Sequence, residues 1–189
     1  CVIACLGAFF SPETYRFRRH ADPDTIVNAM VDQFRAKIAG ALGRDPMPDG
    51  WDIPRIVTLA SMIEIEVQRR EDGPLVASVY VNRLARRMPL GCDATIIYAM
   101  KLAGTYRGRL GKADLRMESP YNSYIHPGLP PGPICNPGMD ALRAAIKPAS
   151  SDFYYYVSRN DGTHQFSENY ADHVRAVNVF QKPLARRRP

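Results

Sequence analysis

The chain has 189 residues, which suits one domain of ordinary size, and 46% of them are hydrophobic, enough for a real core. Its 25 Lys and Arg residues outweigh 19 Asp and Glu residues to give a net charge of +6, with basic runs at 16–20, 83–87 and the C-terminal end. Such a surface favours an anionic polymer, whether nucleic acid, acidic lipid or acidic glycan. The four cysteines have no C-x-x-C spacing and no paired histidines nearby, so we predict no zinc site and no obvious disulfide framework.

The N-terminal segment is apolar and then aromatic. Residues 1–10, CVIACLGAFF, reach only about half the length that a membrane-spanning helix needs. We therefore expect no complete signal peptide or anchor within the printed residues. Residues 9–17, FFSPETYRF, predict a short strand or an extended anchor.

Three helices are predicted in the first half of the chain. Apolar residues recur at helical spacing from Ile26 to Leu42, and Asp22 or Asp24 is the predicted N-cap. A second helix is predicted from Pro54 to about Arg70. The third begins near Pro74, a residue suited to the first helical turn, and continues through LVASVYVNRLARR.

The second half of the chain is richer in Gly, Pro and Tyr, especially over residues 89–137, where one short helix is predicted at about 94–101. Loops of this length usually have a function. A helix follows, with Asn136 as its predicted cap and Pro137 at its first position. The segments FYYYVS and THQFS flank RNDG and predict a hairpin, because Asp-Gly supplies the positive φ angles of a tight turn. A last helix is predicted at about 170–181.

Helices mixed with short antiparallel strands, without a βαβ rhythm, predict an α+β fold. We expect a single, mainly helical domain over 1–189, because no internal repeat or low-complexity linker interrupts the chain. Residues 1–50 form its N-terminal strand and helix portion, and residues 182–189 form a basic tail.

Glu64 is the first candidate for chemistry. On a helical wheel it lies inside the edge of the apolar stripe formed by Ile56, Ala60, Ile63 and Val67, whereas Glu66 lies on a flank. A carboxyl group in apolar surroundings keeps its proton near neutral pH, the state that a general acid needs. The wheel leaves an alternative open, a buried ion pair, for example with Arg83 on the next helix.

Other candidates lie in the two loops and the hairpin. Asp93 is a possible second carboxylate for glycoside cleavage, but its position before ATIIY favours a helix N-cap. The stretch SPYNSYIHPGLPPGPICNPG, at 119–138, offers ring faces and amides suited to a sugar, although a rigid strap would have the same composition. Lone histidines such as His164 are usually just hydrogen-bonded. The candidate substrate-binding residues are Glu66, Asp93, Tyr121, Asn122, Tyr124 and His164.

With these residues in place, the sequence resembles the YceG-like (MltG) family of endolytic murein transglycosylases. The segments that carry the resemblance occur in the family's order and cover nearly all of the chain: FFSPETYRF, LASMIEIE, LVASVYVNRL, DATIIYA, SPYNSY, GLPPGPICNPG, ALRAAIKPA and HQFSENYADH. The resemblance implies cleavage within peptidoglycan glycan strands, at the MurNAc-GlcNAc β-1,4 bond, leaving 1,6-anhydro-muramic acid ends.

The resemblance also implies a catalytic residue. The family's catalytic glutamate, taken as the first Glu of its ASIIEKE-like motif, corresponds to Glu64, and Glu66 corresponds to the second. Glu64 would act first as acid and then as base, with no cofactor or metal. This role requires Glu64 and the PYNSY loop to share one groove.

The expected setting is a bacterial membrane, with the catalytic domain facing the periplasm or cell wall. The resemblance implies an upstream membrane anchor and a small LysM-like subdomain outside the printed residues, and contact with the wall-synthesis machinery. Nucleic acid is not an expected partner, because no nucleic-acid-binding motif accompanies the basic runs.

A second hypothesis is a peptidoglycan-binding module of the same fold with weakened catalysis. It is motivated by Gly91, which replaces a usual Gln of the family, and by Asp72-Gly73, which replaces Glu-Arg before the third helix. Such a module would bind murein without releasing soluble fragments.

Overall fold

The computed structural model describes residues 9–182. Cys1, Cys5 and the basic residues from 183 onward lie outside the described residues, so nothing tests the predictions made for them. The described part contains six α-helices and one hairpin: α1 Pro23–Leu42, α2 Ile53–Glu66, α3 Gly73–Ala85, α4 Asp93–Leu102, α5 Met139–Ile146, β1 Tyr155–Ser158, β2 His164–Ser167 and α6 Tyr170–Phe180. Short 3₁₀ turns lie at Arg70–Asp72 and Asp114–Arg116. The predicted α+β fold is confirmed.

The starts of α1 and α2 follow from local sequence. The side chain of Asp22 accepts a hydrogen bond from the Thr25 backbone N–H at 2.9 Å, and Asp52 accepts one from Arg55 at the same distance. Each cap precedes a proline in the first turn, where a missing N–H costs nothing. Asp22 is therefore the cap of α1, as one of the two predicted alternatives.

The second helix ends earlier than predicted. Its last residue is Glu66 rather than Arg70, because Val67 leaves the helical conformation with φ −97° and ψ 122°. The chain then runs into the 3₁₀ turn at Arg70–Asp72, which leads directly into α3. Glu71 lies in this exposed turn and not on a continuation of α2.

Two predicted caps are wrong. Helix α5 begins at Met139 with Gly138 as its N-cap, while the side chain of Asn136 accepts a hydrogen bond from the Phe10 backbone N–H at 3.3 Å. Cys92 occupies the N-cap position of α4, and Asp93 follows it without capping the helix. In both cases the side chain predicted to cap the helix accepts a hydrogen bond from a distant part of the chain instead: Asn136 from Phe10, and Asp93 from Tyr124.

The core lies around α2, whose residues Ile56 to Ile63 are all buried. Helix α5 packs against α1, α2 and α3, with Leu142 completely buried. The N-terminal segment is an extended anchor rather than a strand: the Phe9 ring packs edge-on against Phe34, with centroids 5.3 Å apart. Among residues 9–182, no helix has the length and apolar character to cross a bilayer.

The hairpin packs on α3 and α6. Its strands are antiparallel, with Tyr155 opposite Ser167 and Ser158 opposite His164. Asn160 and Gly162 in the connecting loop have positive φ angles of 65° and 88°, the backbone geometry that the Asn-Asp-Gly sequence favours. The hairpin thereby brings its tyrosines and His164 to the end of α2.

Candidate active site

A cleft with a volume of about 560 Å³ lies between the end of α2 and the hairpin. Four parts of the chain line it: the last turn of α2, residues 89–93 with Arg83 of α3, Tyr124, and the hairpin with the start of α6. Helix, loop and strand residues that are far apart in sequence therefore meet around one space.

Glu66 places a carboxyl group in this cleft. Burial raises its pKa, because the charged form loses hydration that the surrounding protein only partly replaces. The negative charge of Asp93 acts in the same direction, while His164 acts against it. The side chain keeps some exposure to the cleft, so the carboxyl group is both protonated more readily than usual and within reach of a ligand.

Neutral donors stand next to Glu66. The Cys92 thiol donates to Glu66 Oε1 at 3.3 Å, and Tyr156 also hydrogen-bonds the carboxyl group. The Tyr156 hydroxyl is 2.7 Å from the hydroxyl of Tyr80, whose ring is completely buried. Burial raises the pKa of all three donors, Cys92, Tyr156 and Tyr80, well above their ordinary values, so they remain neutral.

Asp93 and Tyr124 form a second polar pair in the cleft. The Tyr124 hydroxyl donates to Asp93 Oδ1 at 2.6 Å, and the pKa of Tyr124 lies well above its usual value, chiefly through burial and next through this bond. The backbone around them is fixed by Ser123, whose carbonyl oxygen accepts from Gly91 N and whose hydroxyl accepts from Cys92 N, both at 3.0 Å.

His164 and Asp72 form a third pair. Asp72 Oδ2 accepts from both the backbone N–H and the Nδ1 of His164, each at 2.8 Å. A carboxylate at Nδ1 holds the proton on that nitrogen and leaves Nε2 for another partner. Asp72, which sits where the family resemblance led us to expect Glu, thus orients a histidine of the cleft.

Glu64 does not lie where the wheel placed it. Its side chain is exposed, and its Oε2 accepts a hydrogen bond from Gly138 N at 3.0 Å. It borders a depression of about 220 Å³ between α2 and the start of α5, and Gln68 lines both this depression and the larger cleft that Tyr124 lines. Glu64 is therefore exposed rather than buried as the wheel predicted, and its catalytic role stays a prediction.

The alternative ion pair between Glu64 and Arg83 is also not formed within the described part of the chain. Arg83 donates instead to carbonyl oxygens: Nε to Tyr154 and Nη1 to Leu90, both at 2.7 Å. Through these bonds Arg83 joins the residue before β1, Tyr154, to the loop that precedes α4.

Two loop candidates do not face the cleft. Asn122 is completely buried, and its amide donates to the carbonyl oxygens of Leu115 at 3.1 Å and Met117 at 2.8 Å. Tyr121 packs against Tyr98, with ring centroids 4.9 Å apart. Direct sugar contact by Asn122 is excluded by its burial, and both residues shape the loop that carries Tyr124.

Sequence reasoning missed several residues of the cleft, among them Tyr155, Tyr156, Tyr170 and His173, and it gave no role to Cys92, whose thiol contacts Glu66. The three tyrosines were visible as part of the aromatic runs FYYYVS and SENY, but only the hairpin register shows which of them reach the site. Cys92 gave no signal, since a single cysteine before a helix has no distinctive spacing.

The fold and this cleft define a YceG-like protein. The sequence profile of the YceG-like family matches residues 2–179, so the chain belongs to that family. A crystal structure of a yceG-like protein from Listeria monocytogenes superposes with a TM-score of 0.78 at 32% identity, covering 89% of this chain and 54% of that one.

Curated relatives carry a functional name. An endolytic murein transglycosylase of Bacillus subtilis (strain 168) is 35% identical over 179 residues, covering 93% of this chain and 48% of the relative. An endolytic murein transglycosylase of Streptococcus pneumoniae serotype 2 is 30% identical over 189 residues, covering 91% and 32%. The chain thus spans about half the length of the first relative and about a third of the second.

Proposed function

We propose that this chain carries the catalytic site of an endolytic peptidoglycan lytic transglycosylase acting at the bacterial cell wall, with Glu66 as its general acid and base. The observation that carries the proposal is the buried Glu66 carboxyl group, which opens on a cleft large enough for part of a glycan strand. Family membership and the names of the relatives support the reaction class. Membrane attachment and contact with the wall-synthesis machinery stay predictions.

The first step is proton donation. Protonated Glu66 gives its proton to the oxygen of the β-1,4 bond between N-acetylmuramic acid and N-acetylglucosamine. The C1–O bond breaks, the N-acetylglucosamine unit leaves with a free 4-hydroxyl group, and positive charge develops at C1 of the muramic acid unit. The Asp93 carboxylate, whose charge reaches Glu66, stabilises that positive charge.

The second step closes the ring. The muramic acid C6 hydroxyl attacks C1, and the ionised Glu66 takes the hydroxyl proton as the O6–C1 bond forms. The products are a 1,6-anhydro-muramic acid end and a carboxyl group restored to its protonated state, so no water is consumed. Between the steps, the Cys92 and Tyr156 donors stabilise the Glu66 carboxylate.

The test compares two neighbouring glutamates. Glu66→Gln keeps the size of the side chain but removes the acid, and we expect it to lower the release of anhydro-muropeptides from purified sacculi at least about 100-fold, the lower range of general acid catalysis. Glu64→Gln is the matched control, two residues away on the exposed side of α2. Fragments are identified by mass spectrometry after incubation with each variant.

The opposite result would return the role to Glu64, as the sequence predicts. If Glu64→Gln abolishes release while Glu66→Gln remains active, the assignment to Glu66 is wrong. If the unchanged protein pulls down with sacculi but releases no fragments, the chain is the binding module with weakened catalysis. In that module Gly91 leaves the cleft without a side chain beside Arg83 and Tyr124.

A further inference from the structure

A group of stacked side chains lies at the α6 end of the cleft. The His173 and Tyr155 rings are stacked, with centroids 5.2 Å apart and planes 24° apart. The Arg83 guanidinium lies 5.2 Å from the Tyr155 ring centroid. Tyr170 completes the group, with its ring centroid 5.8 Å from that of Tyr155 and 6.3 Å from that of His173. All four side chains line the same cleft as Glu66.

Hydrogen bonds and secondary structure hold the group in place. Arg83 is fixed by the carbonyl oxygens of Tyr154 and Leu90. Tyr155 belongs to the hairpin, and Tyr170 and His173 belong to one turn of α6. A rigid ring cluster loses little conformational entropy when a ligand covers it.

Tyr170 is the exposed member of the group. Its residue is 65% exposed, although its ring contacts two others and borders the cleft. Exposed aromatic rings beside a cavity mark binding surfaces more often than isolated surface rings do. The position of Tyr170 at the first residue of α6 also means that its ring can be replaced without disturbing the core.

His173 supports the group through its ring. Its Nδ1 is buried and has no hydrogen-bond partner among residues 9–182, so that nitrogen is out of reach of a ligand. The pKa of His173 is lowered by burial and by the positive charge of Arg83, so the ring is neutral near pH 7. His173 therefore backs Tyr155 and Tyr170 as a neutral ring rather than through a polar contact with the sugar.

We propose that Tyr170, supported by Tyr155 and His173, is a sugar-stacking subsite that binds a pyranose ring of the glycan strand. One face of a β-1,4-linked pyranose consists of C–H groups, which are attracted to the electron-rich face of an aromatic ring. The assignment rests on the proposed function, since it takes the substrate to be a glycan. It identifies a recognition element separate from the carboxyl group that reacts.

The experiment separates ring stacking from simple apolar contact. In a background that carries both Glu64→Gln and Glu66→Gln, which holds the strand uncut whichever glutamate reacts, Tyr170→Leu removes the ring and keeps an apolar side chain, while Tyr170→Phe keeps the ring. We expect Tyr170→Leu to bind murein sacculi about threefold to tenfold more weakly and Tyr170→Phe to bind as well as Tyr170. Phe17→Ala is the matched control, an exposed aromatic residue outside the cleft. Thermal unfolding verifies that each variant is folded.

A kinetic measurement on the active protein supplies the second readout. Tyr170→Leu should raise KM for sacculi with little change in kcat, because a stacking contact made equally in ground and transition states affects binding alone. Equal sacculus binding by Tyr170→Leu and Tyr170→Phe, with cleavage intact, would overturn the subsite and leave the proposed function standing. If neither the unchanged chain nor any variant binds or cleaves murein, both proposals are wrong.

Discussion

At the scale of single residues, the neighbours of Glu66 determine the pKa of its carboxyl group. Burial raises the pKa of the carboxyl group, and the Cys92 and Tyr156 donors limit that rise. Both donors remain neutral, because burial raises their own pKa values. In the proposed reaction they can therefore stabilise the carboxylate that forms without competing with it for protons.

Replacing Cys92 by alanine tests this arrangement. The change removes one donor from the Glu66 carboxylate, so we expect the pKa of Glu66 to rise further. In the proposed mechanism, protonated Glu66 is the active form below that pKa, and activity falls as pH rises through it. The alkaline limb of the kcat/KM profile on sacculi should therefore move to higher pH.

The control for this variant is Cys135→Ala. That thiol donates to the Ser61 carbonyl oxygen at 3.2 Å rather than to Glu66, so its removal should leave the pH profile in place. An alkaline limb that is unmoved in Cys92→Ala would show that the thiol does not influence the reacting carboxyl group.

The choice between Glu64 and Glu66 shows what sequence could not resolve. A helical wheel identifies a buried face when one side of a helix contacts the core, but α2 is buried on every side from Ile56 to Ile63. In its last turn, burial depends on which distant segments pack there. Cys92 and the hairpin cover Glu66, while Glu64 faces the opening beside Gly138. The wheel misjudged the burial of Glu64, and the catalytic glutamate that the family resemblance implies stays a prediction.

At the scale of elements, α3 holds the hairpin in position. The Asn82 amide donates to the carbonyl oxygens of Ser151 at 2.8 Å and Phe153 at 3.0 Å, on the stretch that leads into β1. The next residue, Arg83, binds the Tyr154 carbonyl oxygen. Two consecutive side chains thus fix where the hairpin begins, and with it the cleft residues that the hairpin carries.

We expect Asn82→Ala to lower the free energy of unfolding by about 1–3 kcal/mol, since it leaves two part-buried carbonyl oxygens without their donor. Urea denaturation measures the loss. Asn178→Ala on the exposed side of α6 is the control, and it should change stability by less than about 0.5 kcal/mol. Equal effects of the two changes would mean that Asn82 does not hold the hairpin.

Element boundaries were predictable where their cause was local. Asp22 caps α1 through a residue three positions away, and the hairpin forms at the predicted RNDG segment, although the positive φ angles lie at Asn160 and Gly162 rather than at Asp161. The cap predicted at Asn136 was wrong because its hydrogen-bond partner, Phe10, is 126 residues away in sequence. The cap predicted at Asp93 was wrong for the same reason, since its partner Tyr124 lies on another loop. Local sequence patterns cannot predict the role of a side chain that binds a distant segment.

At the scale of the whole molecule, α5 joins the N-terminal helix to the helices that border the cleft. It packs against α1, α2 and α3, and its Leu142 is completely buried among them. Gly138, directly before α5, contacts Glu64 of α2. The stability of the fold therefore depends on this eight-residue helix more than its length suggests.

Leu142→Ala should lower the free energy of unfolding by about 2–5 kcal/mol through lost burial and the cavity that remains. The contrast is Lys147→Ala at the end of α5, which breaks only an exposed ion pair with Asp45, 2.6 Å long, and should cost less than about 1 kcal/mol. Chemical denaturation of both variants compares them. A loss below about 1 kcal/mol for Leu142→Ala would contradict the central packing of α5.

Glu66 is the last residue of α2, and the carboxyl end of a helix has a partial negative charge that disfavours a carboxylate there. The helix itself therefore helps burial to retain the proton. In the proposed enzyme, the acidity of Glu66 is set by the scaffold, at the end of α2 and its donors, while glycan recognition is assigned to the loops, the hairpin and α6. Substitutions at Gly91 or Tyr170 should then change glycan binding without changing the pKa of Glu66.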